Sequence, residues 1–254
     1  MLVLKKIIYS FISFMLNYTS YKLVKKELFS LINIERFKIF NDKITKENFI
    51  SFIFKKKKKS KSQIFQDLFV DFILKKKNGI FCEIGAADGY NLSNTYYLEK
   101  FLNWRGILCE PSLYWKKKLL KNRGKCKIVF DAISSNCGSK IFYENKSNFL
   151  SGFKNKTKKY YYVNTIDLNT LFKKNKIHNI DYLSIDTEGG ELDIVSNLNF
   201  KLYRPKVITI EHNYTADKNK IQRFLNKKNY KLIFPFFSRF DSFYVCKKIL
   251  KKRI

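Results

Sequence analysis

From about residue 62 onward, short apolar runs alternate with stretches whose apolar residues fall three or four apart. The first pattern is that of a strand buried on both faces, the second that of an amphipathic helix. It predicts a helix over 62–74, a strand over 80–84, a helix over 91–98 and a second strand over 104–111, stopped by Pro111. A helix over 113–120 and a third strand over 126–133 follow. Such alternation builds a parallel sheet with right-handed crossovers. The pattern changes over 138–165, where 140–143 and 160–163 read as strands around a polar loop, an insertion near the mouth of a site. Asp167 then caps a helix over 168–172. A fourth strand over 180–186, a helix opening at 191–195, a fifth strand over 206–211 and a helix around 221–225 complete the alternation. The runs 231–234 and 243–246 close the sheet as a hairpin-like pair on an antiparallel edge. The fold class is α/β, an open and mostly parallel sheet.

Residues 1–60 differ in character. Lys5 and Lys6 precede an apolar stretch over 7–16 that Asn17, Thr19 and Ser20 interrupt. No small-residue cleavage site follows, and the stretch is too short to span a bilayer. It reads as a helix packed on the domain, with an interfacial membrane anchor as the alternative. Helical spacing resumes at Leu28, Leu31, Ile32, Ile34 and Phe37, and the lysine run 55–59 reads as a solvated linker. The expected division is a basic helical extension over 1–60 and an α/β domain over 61–254.

With 254 residues, 45% of them hydrophobic, the chain can fill the core of one such domain. Its net charge of +30 raises nucleic acid as a partner. Lysine greatly outnumbers arginine, however, and Asn, Ile, Phe and Tyr are abundant alongside it, which marks a bias of the whole chain. A nucleic-acid groove would interleave arginine with aromatics. The five cysteines show no metal-ligand spacing, and Cys82 and Cys109 fall in central strands. Cysteine use and the lack of a convincing export signal point to a reducing, cytoplasmic compartment, with peripheral membrane contact through the N-terminus as the variant.

Candidate chemistry gathers where strands end. Glu83-Ile84-Gly85-Ala86-Ala87-Asp88-Gly89 is a glycine turn between strand and helix, where open α/β sheets bind ligands. It lacks the three-glycine dinucleotide spacing, which disfavours a nicotinamide oxidoreductase and suits a cofactor without pyrophosphate, S-adenosylmethionine first. Gly85, Ala86 and Gly89 would give the ligand room, and Glu83 would meet its ammonium end. Glu110, after the second strand, would accept the ribose hydroxyls. Asp131 and Ala132, after the third, sit where an adenine would lie. Asp186, Glu188, Glu211, His212 and Asn213 stand at the ends of the fourth and fifth strands, and of these Asp186, Glu188 and His212 would face the acceptor.

These residues also carry a family likeness. Ser62-Gln63-x-x-Gln66-Asp67, the Glu83–Gly89 turn with 92–95, Trp104-Arg105-Gly106 with Glu110-Pro111, and above all 180–193 with Glu211-His212-Asn213 resemble the FkbM family of S-adenosylmethionine-dependent methyltransferases. Gly190 stands where a Ser is often found in that family. The resemblance implies a Rossmann-like methyltransferase fold and methyl transfer to a hydroxyl of a sugar, glycan or other natural product. Such a transfer needs a base for the hydroxyl proton, and His212, Asp186 or Glu188 is the candidate. Asp186 and Glu188 with Asn213 could instead hold a divalent metal, though the reading requires none. An RNA methyltransferase is supported by charge alone, since 186–189 is Asp-Thr-Glu-Gly and not an Asp-Pro-Pro-Tyr motif.

Overall fold

The computed structural model describes residues 43–145, 150–153, 157–235 and 237–250. The chain divides into two compact units, 1–47 and 48–254. The helices expected within 7–40 lie outside the described residues. The strands are β1 (Ile80–Ile84), β2 (Arg105–Cys109), β3 (Lys127–Val129), β4 (Ala132–Ile133), β5 (Gly138–Tyr143), β6 (Tyr160–Ile166), β7 (Tyr182–Ile185), β8 (Val207–Glu211), β9 (Tyr230–Ile233) and β10 (Asp241–Cys246). The helices are α1 (Lys43–Lys56), α2 (Gln66–Leu74), α3 (Tyr96–Leu102), α4 (Lys116–Arg123), α5 (Leu168–Lys174), α6 (Glu191–Asn197), α7 (Asp217–Lys227) and α8 (Lys247–Leu250).

One seven-stranded sheet runs in the order β3-β2-β1-β7-β8-β10-β9. Its first five strands are parallel, and β10 runs antiparallel to both β8 and β9. This is the Rossmann-like methyltransferase arrangement, with the antiparallel edge that the final apolar pair predicts. Strand order reverses between β1 and β7, which leaves a crevice at their carboxyl ends. On one face Cys82, Ile84, Leu183, Ile185, Ile208 and Ile210 pack with Leu171, Ile194, Ile221 and Leu225. Each fully buried aliphatic side chain there contributes about 1.5–3 kcal/mol. The opposite face turns polar toward the carboxyl ends. Glu83, Ser184 and Thr209 lie in register across three strands. Thr209 Oγ1 reaches the Tyr182 hydroxyl at 2.7 Å and Ser184 Oγ at 3.3 Å.

A second sheet, β4-β6-β5, is the insertion, and it accounts for one departure from the expected elements. The run 126–133 is two strands, not one. β3 ends at Val129 beside β2, and after Phe130 and Asp131 the chain joins Ala132 to Thr165 of the other sheet.

Two helices start later than their apolar spacing predicts, each because a buried acid holds the preceding loop. The helix expected over 62–74 begins at Gln66, behind Phe65 at φ 64°. The Ser60 and Ser62 hydroxyls donate to Asp67 at 2.6 and 2.7 Å. The helix expected over 91–98 begins at Tyr96. Glu83 accepts there from the Ser93 hydroxyl, the Asn94 amide and the Thr95 hydroxyl.

The lysine run 55–59 ends a packed helix instead of serving as a free linker. Phe49 and Ile53 of α1 are buried, and Phe49 stacks on Phe234 with 5.1 Å between ring centroids. Lys56 pairs with Asp71 at 2.8 Å. The compact unit accordingly includes residues from 48 onward.

Gly85 sits at φ 81°, and a Cβ there would lie 1.7 Å from the Asp186 carbonyl oxygen. Gly89 sits at φ 71°, and its Cβ would meet Arg123 Cγ and Leu119 Cδ1 at 2.6 Å. Both glycines therefore admit neighbouring protein, the residue after β7 in one case and α4 in the other, where the sequence suggests room for a ligand. Gly85→Ala should lower stability by about 3 kcal/mol or more, since positive φ and a backbone collision act together. A thermal midpoint equal to that of the wild type would contradict this.

Candidate functional site

A cavity of about 290 Å3 opens over the carboxyl ends of β1, β2, β7 and β8. Glu83, Gly85, Ala86 and Ala87 form one wall, with Glu110, Pro111 and Trp115 beside them. Ala132, Ile133 and Phe142 come from the small sheet, and Leu150, Ser151, Gly152 and Phe153 from the inserted loop. Asp186, Thr187 and Glu188 face them after β7, and Glu211, Asn213 and Phe240 after β8. The volume is at the lower end for small-molecule sites, which start at about 300 Å3. Ala87, Leu92, Glu188 and Asn213 all line the cavity and all have positive φ, at 45°, 60°, 57° and 42°. Strain of this kind gathers where the surrounding structure fixes a site's shape.

Glu110 organises one end. Its Oε2 accepts from the Ala87 amide and its Oε1 from the Ser112 amide, both at 2.8 Å. Each oxygen keeps a second lone pair for a ligand donor. Burial pushes this carboxyl up to about 7, although the two amides favour its charged form. Glu83 is 2% exposed, and burial raises its pKa against the pull of Arg123. Beside it Asn94 Nδ2 donates to Ser184 Oγ at 3.0 Å, while Asn94 Oδ1 is buried with no hydrogen-bond partner. An unpaired acceptor in a cavity wall fits a ligand that brings its own donor.

The other end is acidic. Single carboxylate oxygens of Asp186, Glu188 and Glu211 lie within 4.8 Å of one another. Burial and the neighbouring Glu211 and Asp241 carboxylates raise Asp186 well above the ordinary range. Burial and the charges of Glu188 and Asp241 bring Glu211 to about 8. A hydrogen bond between the two carboxyls raises Asp186 and lowers Glu211, the direction that makes Asp186 the donor. Crowded carboxylates cannot all ionise, so the cluster holds protons near neutral pH and is matched to proton transfer there. The same three oxygens could hold a hard divalent cation. Glu191, at the start of α6, fixes the loop by accepting from the Thr187 and Gly189 amides at 3.0 and 2.8 Å.

The Methyltransferase FkbM domain matches residues 83–232, from the first acid of this cavity to β9. The chain belongs to the FkbM methyltransferase family. Among solved structures it is similar to the methyltransferase FkbM from Methylobacillus flagellatus, with 10% identity, a TM-score of 0.44, and coverage of 71% of this chain and 52% of that one. It thus spans about half of that protein. It is also similar to an O-methyltransferase from Bacillus cereus in complex with SAH (14% identity, TM-score 0.43, 83% and 91% covered). A precorrin-6y C5,15-methyltransferase from Geobacter metallireducens matches with 15% identity, a TM-score of 0.39, and 66% and 72% covered. No curated protein matches the chain.

Within this FkbM domain, seven of the candidate residues, Glu83, Gly85, Ala86, Glu110, Ala132, Asp186 and Glu188, line the cavity. Four other expected residues do not. Asp88 points back into its own turn and accepts from the Tyr90 and Asn91 amides at 2.8 Å. Gly89 lies behind that turn, over Arg123, whose side chain is wholly buried and ion-paired with Glu99. Asp131 falls in the break between β3 and β4, outside the lining.

His212 is the fourth. Its Nε2–H donates to the Asp241 carbonyl at 2.9 Å, and its Nδ1 accepts from the Tyr214 amide at 3.1 Å. Burial and the nearby Lys218 lower its pKa. With both ring nitrogens engaged, it is a neutral brace for the β8–β10 end and not a base. Glu211, the residue before it, occupies the position in the cavity instead.

The raised acids link folding to pH. Burial first of all holds Asp67 at about 6, Glu110 and Asp241 at about 7 and Glu211 at about 8, against ordinary values of 3.8 and 4.5. The folded state binds more protons than the unfolded one in this window. Their contribution to stability is full below the ordinary values and is lost as pH rises through 6 to 8. His212 acts oppositely below its ordinary 6.5, but it is one group against four. The ligand-free domain should therefore melt at a higher temperature at about pH 5 than at about pH 9. Scanning fluorimetry across that range checks this, and a flat or rising midpoint would contradict it.

Proposed function

We propose that this FkbM domain transfers a methyl group from S-adenosylmethionine to a hydroxyl of a sugar, glycan or related natural product. The observation that carries the reading is the division of one cavity into two polar ends, Glu110 with the turn amides at one and the Asp186–Glu188–Glu211 cluster at the other. S-adenosylmethionine supplies a methyl group activated on a sulfonium. Glu110 would accept from the ribose hydroxyls, and Glu83 with Asn94 Oδ1 would meet the ammonium end. Ala132 and Ile133 offer an apolar wall for the adenine.

At the acidic end Glu211, already accepting from Asp186, takes the acceptor hydroxyl's proton. General-base help of this kind is worth about 10²–10⁴ in rate, and alignment of the two reactants supplies much of the remainder. A polyhydroxylated acceptor suits the pocket. Its hydroxyls can donate to the carboxylates, and its C–H faces can pack on Phe142, Phe153 and Phe240.

Incubation with methyl-labelled S-adenosylmethionine and a panel of monosaccharides and glycans tests this. The expected product is a methyl ether, stable to alkali. Label found only on RNA, on nitrogen or in alkali-labile esters would overturn it.

A further inference from the structure

We propose that the exposed face of α4, with the turn before it, is a docking surface for an anionic phospholipid bilayer. Leu113, Tyr114 and Leu120 are 61%, 45% and 46% exposed on this face. Lys116, Lys117 and Lys121 are exposed among them, while Trp115, Leu119 and Arg123 point inward and are buried. Residues 111–125 contain no Asp or Glu. Among the described residues none of these three lysines forms an ion pair, whereas Lys100 pairs with Glu99 and Lys220 with Asp217.

Aliphatic side chains ringed by lysines, with a tyrosine at the edge, match the layered chemistry of a bilayer interface. The leucines enter the acyl boundary, tyrosine lies at the headgroup level, and the lysine stems extend along apolar surface toward phosphates. A nucleic acid fits less well. It would favour exposed arginine and planar rings. The one arginine of this segment, Arg123, is fully buried in an ion pair with Glu99.

The patch adjoins the cavity, because Pro111 and Trp115, on either side of Leu113 and Tyr114, both line it. A domain seated this way presents the cavity mouth to hydroxyl-bearing headgroups. That consequence rests on the proposed methyl transfer, whereas the membrane contact itself does not.

The test uses the full chain and two single tryptophan substitutions, Leu120→Trp on the patch and Leu202→Trp as a control. Leu202 is 66% exposed and precedes the amino end of β8, whereas the cavity lies at the carboxyl ends of the strands. Each variant is titrated with vesicles of phosphatidylcholine and phosphatidylglycerol carrying brominated acyl chains. Quenching beyond that of the wild type is expected for Leu120→Trp and not for Leu202→Trp. Adding Lys116→Gln, Lys117→Gln and Lys121→Gln should raise the lipid concentration needed by about tenfold or more. The proposal is overturned if bound protein shows no extra quenching at position 120, as docking through residues 1–60 alone would give. Equal quenching at both positions, no vesicle binding, or full displacement by RNA would also overturn it. None of these readouts depends on turnover, so a failure of the methyl-transfer reading registers separately.

Discussion

Glu211→Gln is expected to lower kcat by about a hundredfold or more while leaving affinity for S-adenosylmethionine nearly unchanged. Glutamine keeps the volume and still accepts from Asp186, but it cannot take a proton. The parallel variant separates the two partners. Asp186→Asn retains a donor toward Glu211 and should lose less. Glu211 titrates at about 8, so wild-type kcat should rise with pH toward that value. Glu211→Gln should flatten the profile. Neither change should destabilise the fold at alkaline pH, because each removes a carboxyl whose ionisation burial opposes. Equal, small losses in both variants with the pH profile intact would move the base elsewhere.

Glu110→Ala should act on the other end of the cavity. Two hydrogen bonds to a charged acceptor contribute about 1.5–3 kcal/mol each, so affinity for S-adenosylmethionine should fall about a hundredfold or more. The Ala87 and Ser112 amides also lose their acceptor. The strained turn at Ala87 should loosen with it. At saturating cofactor, turnover should change far less than in Glu211→Gln. The carboxyl titrates at about 7, and only its charged form accepts from both hydroxyls, so wild-type affinity should weaken as pH falls through that value. Binding by Glu110→Ala that matches the wild type would remove Glu110 from the site.

Apolar spacing located the main-sheet strands well, because a strand buried on both faces has little freedom of composition. Helix starts were less legible. Glu83 holds Ser93, Asn94 and Thr95, and Asp67 holds Ser60 and Ser62, so tertiary hydrogen bonds, and not periodicity, decide where α3 and α2 begin. The split of 126–133 is not legible in the sequence, because Ala132 and Ile133 are as apolar as the residues before them, although they pair with another sheet.

In the site, acids at strand ends marked the cavity, but spacing alone cannot say which way an end points. Glu211 and His212 are adjacent and both buried, yet Glu211 lines the cavity and His212 braces the β10 strand. The in-register pairing of Glu211 with Asp241 across β8 and β10 is the signal that separates them, and it needs the sheet. Gly85 had an evident ligand-based reason in the sequence. Its structural reason, the Asp186 carbonyl, comes from just beyond the end of β7, about a hundred residues on.

The most direct measurement is calorimetric titration of the full chain with S-adenosylmethionine. Saturable one-to-one binding, lost or sharply weakened in Glu110→Ala, is the expected result. A well-folded wild type that shows no binding, alone or with candidate glycans present, would contradict the assignment of this cavity to the cofactor.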